Sequence, residues 1–207
     1  MMKIYYAPGT IASAAIMALE EAALPYEAVR VDFKTDEQRK EPYLSLNPKG
    51  RVPVLVSTDG TLTETGAILE YIADRAPDAG LAPKDLAGLA KMRAAMYYFA
   101  STMHPNHAHK LRGARWSDDP DAWKSMTAKV PETMTASCAF VEEHVLQGPF
   151  ILGDDISVAD CYLRTICSWL EGDGVDVSAF PKLTAFIATM TERSSVQKAL
   201  NMGALLA

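Results

Sequence analysis

Three short segments of this sequence combine residue types that can do chemistry. The first is Tyr6-Ala7-Pro8-Gly9-Thr10-Ile11-Ala12-Ser13. A β-prone run enters it and a helix-forming run leaves it, so free backbone N–H groups and a helix dipole favour negative charge there. Thr10 and Ser13 offer hydroxyls, either to an anion or as a cap on the helix itself. The second segment is Thr63-Glu64-Thr65-Gly66, where another helix begins. Glu64 there can hold an ammonium group while Thr65 and its N–H hold a carboxylate; a first-turn acid is also favourable in its own right. The third is Asn47-Pro48-Lys49-Gly50-Arg51-Val52-Pro53. A proline opening a strand is confined to edges or special turns, and a cis Val52–Pro53 bond would turn the Val52 N–H and C=O outward toward an extended peptide.

Two further clusters carry weaker signals. His104, His107 and His109 lie within six residues, but no cysteine or H-E-x-x-H pattern accompanies them, and no metal is expected. Lys110, Arg112 and Arg115 beside Trp116 read as a solvated or subunit-facing patch rather than a catalytic cluster.

The elements that must position these segments change character once. Lys3–Ala7 is β-prone, residues 14–21 are dense in helix formers, and Tyr26–Val31 alternates like a half-buried strand. Residues 36–46 are polar, with one or two helical turns expected. Strands at 52–56 and 61–63 flank the hairpin signal Thr58-Asp59-Gly60, and residues 64–75 return to helical spacing. The linker Ala76-Pro77-Asp78-Ala79-Gly80-Leu81-Ala82-Pro83 follows. Beyond it the pattern is helical. Leu89, Met92, Met96, Phe99 and Met103 form an amphipathic stripe expected to end near Pro105. A second stripe from Trp123 to Val145 contains Pro131, which should kink or break it. Ser157 and Asp160 have capping-box spacing, with Ile156 and Cys161 placed as a staple. Pro181 suits the first position of a helix reaching about Glu192. The expected division is an α/β unit over 1–78 and an all-α unit over 84–207.

Composition bounds the function classes. The chain has 207 residues, 49% of them hydrophobic, and a formal net charge of −6. Disordered and low-complexity classes are excluded, and a nucleic-acid backbone is an unfavourable partner. No apolar run reaches the roughly 18 to 20 residues of a membrane helix, and the N-terminus lacks the basic and apolar regions of a secretory signal. Cys138, Cys161 and Cys167 form an odd set in apolar stretches, so buried thiols and a reducing cytoplasm are expected.

Taken in order, Y-Y-A-P-G-T, N-P-K-G-R-V-P, T-E-T, I-S-V-A-D and E-R-S-S-V-Q-K-A-L resemble the glutathione transferase family over essentially the whole chain, and bacterial beta-like members in particular. The resemblance implies a thioredoxin-like glutathione-binding domain followed by an all-α domain, and a homodimer. It implies conjugation of the glutathione thiolate to small, mostly apolar electrophiles. Val52 and Pro53 would clamp the cysteinyl unit, and Glu64 and Thr65 the γ-glutamyl end. One departure bears on mechanism. Beta-like members place a cysteine and then a serine after the position of Thr10, where this chain has Ile11 and Ala12. Thr10, Tyr6 and Ser13 are then the candidates for activating the thiol. Tyr97, His104, Trp116 and Trp169 are candidates for contacting the electrophile. The rival readings are a glutathione-binding or structural module without turnover, and a glutathione-dependent thiol/disulfide reductase.

Overall fold

The computed structural model describes residues 1–206. Four strands, β1 (Met2–Tyr6), β2 (Tyr26–Arg30), β3 (Val54–Ser57) and β4 (Gly60–Thr63), form one sheet in the order β2-β1-β3-β4. β2 lies parallel to β1, with Ile4 opposite Ala28, because a helical crossover returns the chain to the same end of the sheet. β3 runs antiparallel to β1, and β4 closes a tight hairpin on β3 with Leu55 opposite Leu62. Alternation in β1 buries Met2, Ile4 and Tyr6 on one face.

That face is covered by α1 (Ala12–Glu21), whose residues Ala12 through Leu19 are all buried. A helix buried all round must touch two layers, and α1 also packs against the helical unit. Four of its buried residues are alanines, which lets the sheet and the next helix layer approach closely. The turns at 33–39 and α2 (Tyr43–Leu46) are the short helical pieces expected over 36–46. α3 (Thr65–Arg75) completes the first unit.

The remaining helices are α4 (Leu86–Tyr98), α5 (His104–Ala108), α6 (Pro120–Phe140), α7 (Val158–Cys167), α8 (Pro181–Thr191) and α9 (Ser194–Asn201). Among the described residues this half holds no strand, only an isolated bridge between Phe150 and Gly153. The division expected from composition and periodicity, a mixed sheet with helices followed by a mostly helical unit, is present.

Two prolines are carried within helical chain. The helix does not end near Pro105, because a π-helical turn over Phe99–Met103 precedes it. The N–H of His104 reaches back five residues to Phe99, so the ladder is already widened where proline lacks its donor. Pro131, where a kink or break is expected, does not break α6, which runs on to Phe140. The carbonyl it leaves without a partner belongs to Thr127, which is exposed, so water can serve it. α9 lies in the E-R-S-S-V-Q-K-A-L stretch, where no separate helix is expected from the sequence; it buries Ser195, Val196 and Ala199.

The capping box at the start of α7 is formed. Both the N–H and the hydroxyl of Ser157 donate to Asp160, at 2.7 and 2.8 Å. Asp160 also accepts from the N–H of Ile151 at 2.8 Å, so it ties a preceding loop to the helix. Every residue of α7 is buried. A second tie joins the two units: Arg193 grips Glu21 of α1 through two hydrogen bonds of 2.7 and 2.6 Å, and Ser195 adds a third. Burial raises the pKa of Glu21, but these donors outweigh it and hold the carboxyl below its ordinary value. No helix among the described residues is long and apolar enough to cross a membrane.

Candidate active site

A cleft of about 970 Å³ separates the two units. Gly9, Thr10, Val52, Pro53, Glu64 and Thr65 line it from the α/β side. Three structural devices hold that wall.

The first is the β1–α1 turn. Gly9 has φ +66°, a conformation that glycine adopts without steric cost. Thr10 follows at the mouth of α1, where the helix dipole presents partial positive charge. Its hydroxyl donates to the Ala7 carbonyl at 2.7 Å, so donation to a bound ligand requires the hydroxyl to turn from that partner.

The second is the loop before β3. The carbonyl of Arg51 accepts from the Tyr43 hydroxyl and from the Asn47 side-chain amide, both at 2.7 Å. Asn47 is itself buried. These two bonds pin the chain immediately ahead of Val52–Pro53, whose peptide bond is cis. Gly50 is required here, because a Cβ would lie 2.9 Å from the Gln38 carbonyl.

The third is the β4–α3 turn. Glu64 caps α3 with φ 71° and ψ 121°, which costs a non-glycine residue on the order of 1–3 kcal/mol. Its carboxylate meets the Lys49 ammonium at 2.5 Å, and Lys49 also reaches the Thr63 hydroxyl at 2.8 Å. Lys49 was not singled out from the sequence, although it sits inside the N-P-K-G-R-V-P segment.

The three thiol-activation candidates are separated by the fold. Thr10 lines the cleft; Tyr6 and Ser13 are not among its lining residues. Tyr6 is buried in the core. Ser13 is buried too, its hydroxyl donating to the Thr10 carbonyl at 2.9 Å.

All four acceptor-side candidates, Tyr97, His104, Trp116 and Trp169, line the opposite wall. Trp169 is its anchor. Its indole lies 4.2 Å from the His107 ring at 19°, and 5.2 Å from His104. Behind His107, the fully buried Asp173 carboxylate approaches Nδ1 at 2.7 Å. Nothing in the sequence flagged this pair, since 66 residues separate its members. His104 is held neutral: burial, then the charges of His107, Arg112, Arg115 and Arg51, bring its pKa down to about 4. His109 lies edge-on to Trp116 at 4.5 Å. His104 and His107 thus share the Trp169 ring while His109 meets Trp116, and no metal-ligating cluster occurs among the described residues.

The patch expected to be solvated or subunit-facing is exposed at Arg115 and Trp116 and half-buried at Lys110 and Arg112. Arg112 and Arg115 line the cleft, because the chain after α5 folds back toward the α/β unit. Lys110 turns away from them, to the Gly172 carbonyl and Asp173. The three cysteines are buried and none lines the cleft. Burial pushes the Cys138 thiol up to about 12 and raises Cys161 and Cys167 as well.

Residues 1–74 match the family model for the glutathione S-transferase N-terminal domain, and residues 93–194 that for its C-terminal domain. The chain belongs to the glutathione S-transferase family. Glutathione S-transferase GstA of Escherichia coli O157:H7 is 32% identical over 203 residues, covering 97% of this chain and 98% of that one. Glutathione S-transferase GST-4.5 of Xanthomonas campestris pv. campestris is 31% identical, covering 96% and 97%. Among solved structures, a glutathione transferase homologue from Sulfitobacter with bound glutathione is 55% identical. Its TM-score is 0.97 and the match covers 99% of each chain. The fold and transferase class read from the sequence are those of this glutathione S-transferase family. The cleft is cysteine-free, so a mixed disulfide with the protein has no residue to run through at this wall.

Proposed function

We propose that the protein binds glutathione in this cleft, stabilises its thiolate at the mouth of α1, and transfers the sulfur to a small electrophile held against the helical wall. The observation that carries this is that Thr10, Val52, Glu64 and Thr65, from three separate turns, line one cleft. The bound glutathione of the Sulfitobacter homologue supports it.

In this reading Val52 pairs with the cysteinyl backbone through its N–H and C=O. Thr65 and its N–H take the γ-glutamyl carboxylate, and Glu64 takes the ammonium. A thiol starts near pKa 8.5, so lowering it by about two units needs roughly 2.7 kcal/mol of thiolate stabilisation. A hydrogen bond to a charged partner supplies about 1.5–3 kcal/mol and a helix N-terminus about 0.3–1. Thr10 is the donor: its hydroxyl leaves the Ala7 carbonyl and turns to sulfur. The thiol proton passes to solvent, the thiolate forms the new C–S bond, and the leaving group departs with its electron pair. This reaction needs no metal.

The working form is a homodimer in the cytoplasm, with units 1–78 and 84–207. Family membership supports the dimer, and three buried free cysteines suit a reducing compartment. Sedimentation at micromolar concentration should show twice the 22.5 kDa chain mass. The deciding experiment for the site is a glutathione titration followed by thiolate absorbance against pH. Thiolate formation near neutral pH is expected. Binding without thiolate would leave a non-catalytic glutathione-binding module, and absence of binding would overturn the reading.

A further inference from the structure

One part of the cleft is left electrically unbalanced. Arg51 enters from the α/β wall and Arg112 and Arg115 from the helical wall. None of the three has a carboxylate partner among the described residues. This is unusual in a chain of net charge −6, where acids outnumber bases by 26 to 20. Of the three carboxylates that share the cleft, Glu64 holds Lys49, Glu70 accepts two hydrogen bonds from Arg93, and Asp74 forms no ion pair with any of the three arginines. The arginines also repel one another. Burial and the facing Arg51 lower the pKa of half-buried Arg112, and burial, Arg112, Arg51 and Arg39 lower that of Arg115. Nearby His104 cannot supply an anion and is held neutral, by burial first and then by His107 and these arginines. Converging guanidinium groups without a counter-charge favour a planar anion, which they grip through paired N–H donors.

We infer that Arg112 and Arg115, with Arg51 facing them, bind the carboxylate of an anionic electrophile, so that the preferred acceptor is an aromatic or unsaturated carboxylic acid rather than a neutral apolar molecule. This inference rests on the proposed glutathione site and specifies its acceptor half. Two of the three arginines belong to the helical wall, beside His104 and Trp116, whose ring faces suit a flat acceptor. The γ-glutamyl carboxylate has its own place at Thr65.

The test is calorimetric binding of 4-nitrobenzoate and its methyl ester, at constant ionic strength, with and without saturating glutathione. The acid should bind the wild type about tenfold more tightly than the ester, as one charge-assisted contact implies. In R112Q/R115Q that ratio should fall toward one, and single R115Q should show a partial fall if the double variant unfolds. Equal binding of acid and ester to the wild type would overturn the inference. So would a loss of glutathione affinity in R115Q matching its loss of 4-nitrobenzoate affinity, which would assign the arginines to the glycyl carboxylate. Failure of glutathione to bind at all would defeat the proposed function instead, and the acid-to-ester ratio of the glutathione-free protein would still decide the arginine site.

Discussion

The indole N–H of Trp169 donates to the carbonyl of Gly9 at 3.1 Å. One residue belongs to the helical unit and the other directly precedes Thr10, so this bond fixes the turn at the mouth of α1 from across the cleft. Trp169 is in turn stacked on His107, which Asp173 holds from behind. A buried carboxylate in one unit thereby sets a backbone position in the other.

Trp169→Phe keeps most of the ring but removes the donor. It should cost about 1 kcal/mol in denaturant unfolding and raise the glutathione dissociation constant several-fold. Asp173→Ala should cost more, about 3 kcal/mol, because it strips the carboxylate from His107 and Lys110. Unchanged glutathione affinity in Trp169→Phe would show that the turn holds itself.

Thr10→Ala should raise the pKa of bound glutathione by at least a unit while changing its affinity little, since Val52, Glu64 and Thr65 carry binding. Thr10→Ser should restore the wild-type value. Tyr6→Phe should have no effect, because the Tyr6 ring is packed in the core. Thiolate absorbance against pH reads all three, and a shift in Tyr6→Phe without one in Thr10→Ala would move the role to tyrosine.

Glu64 trades stability for position. Glu64→Gly should relieve the positive φ and stabilise the fold by roughly 1 kcal/mol. The exposed Lys49–Glu64 pair it removes is worth little. The same change should weaken glutathione binding about tenfold or more, by the loss of one charged contact. Thermal melting and calorimetry on one preparation check both directions.

His104 gives the fold an acid sensitivity. Its folded pKa of about 4 lies below the ordinary 6.5, so between those values the unfolded chain binds a proton that the folded chain does not. Its contribution is therefore fully present above pH 6.5 and is lost as pH falls toward 4, by about 3 kcal/mol in all. His104→Gln should flatten the stability profile across that window. An identical slope in the variant would contradict the assignment.

The capping box should prove unequal. Ser157→Ala costs about 1 kcal/mol, the usual value for a cap. Asp160→Ala should cost roughly 2–4 kcal/mol, because it orphans the buried N–H of Ile151 as well as that of Ser157. Equal losses in urea unfolding would show the Ile151 bond to be idle.

What the sequence alone determined was local. Alternation in β1, the Asp59-Gly60 hairpin, the Ser157–Asp160 spacing and the proline ahead of β3 are short-range signals. Each depends on backbone preferences that neighbouring residues set, and each element stands within two residues of where its pattern put it, β3 starting at Val54 rather than Val52. The same signals placed Thr10, Glu64 and Thr65 at helix starts. Tertiary structure decided the rest. Pro105 and Pro131 are carried within helical chain because of a π turn in one case and an exposed carbonyl in the other. Ser13 and Tyr6 shared the promising turn with Thr10, but α1 is buried on every side, and only packing could say which of the three faced open space. Asp173 behind His107, Trp169 on Gly9, and three arginines gathered from both units are contacts between residues far apart in the chain. Such contacts leave no periodicity or spacing to read, because they form only when two independently patterned units close on one another.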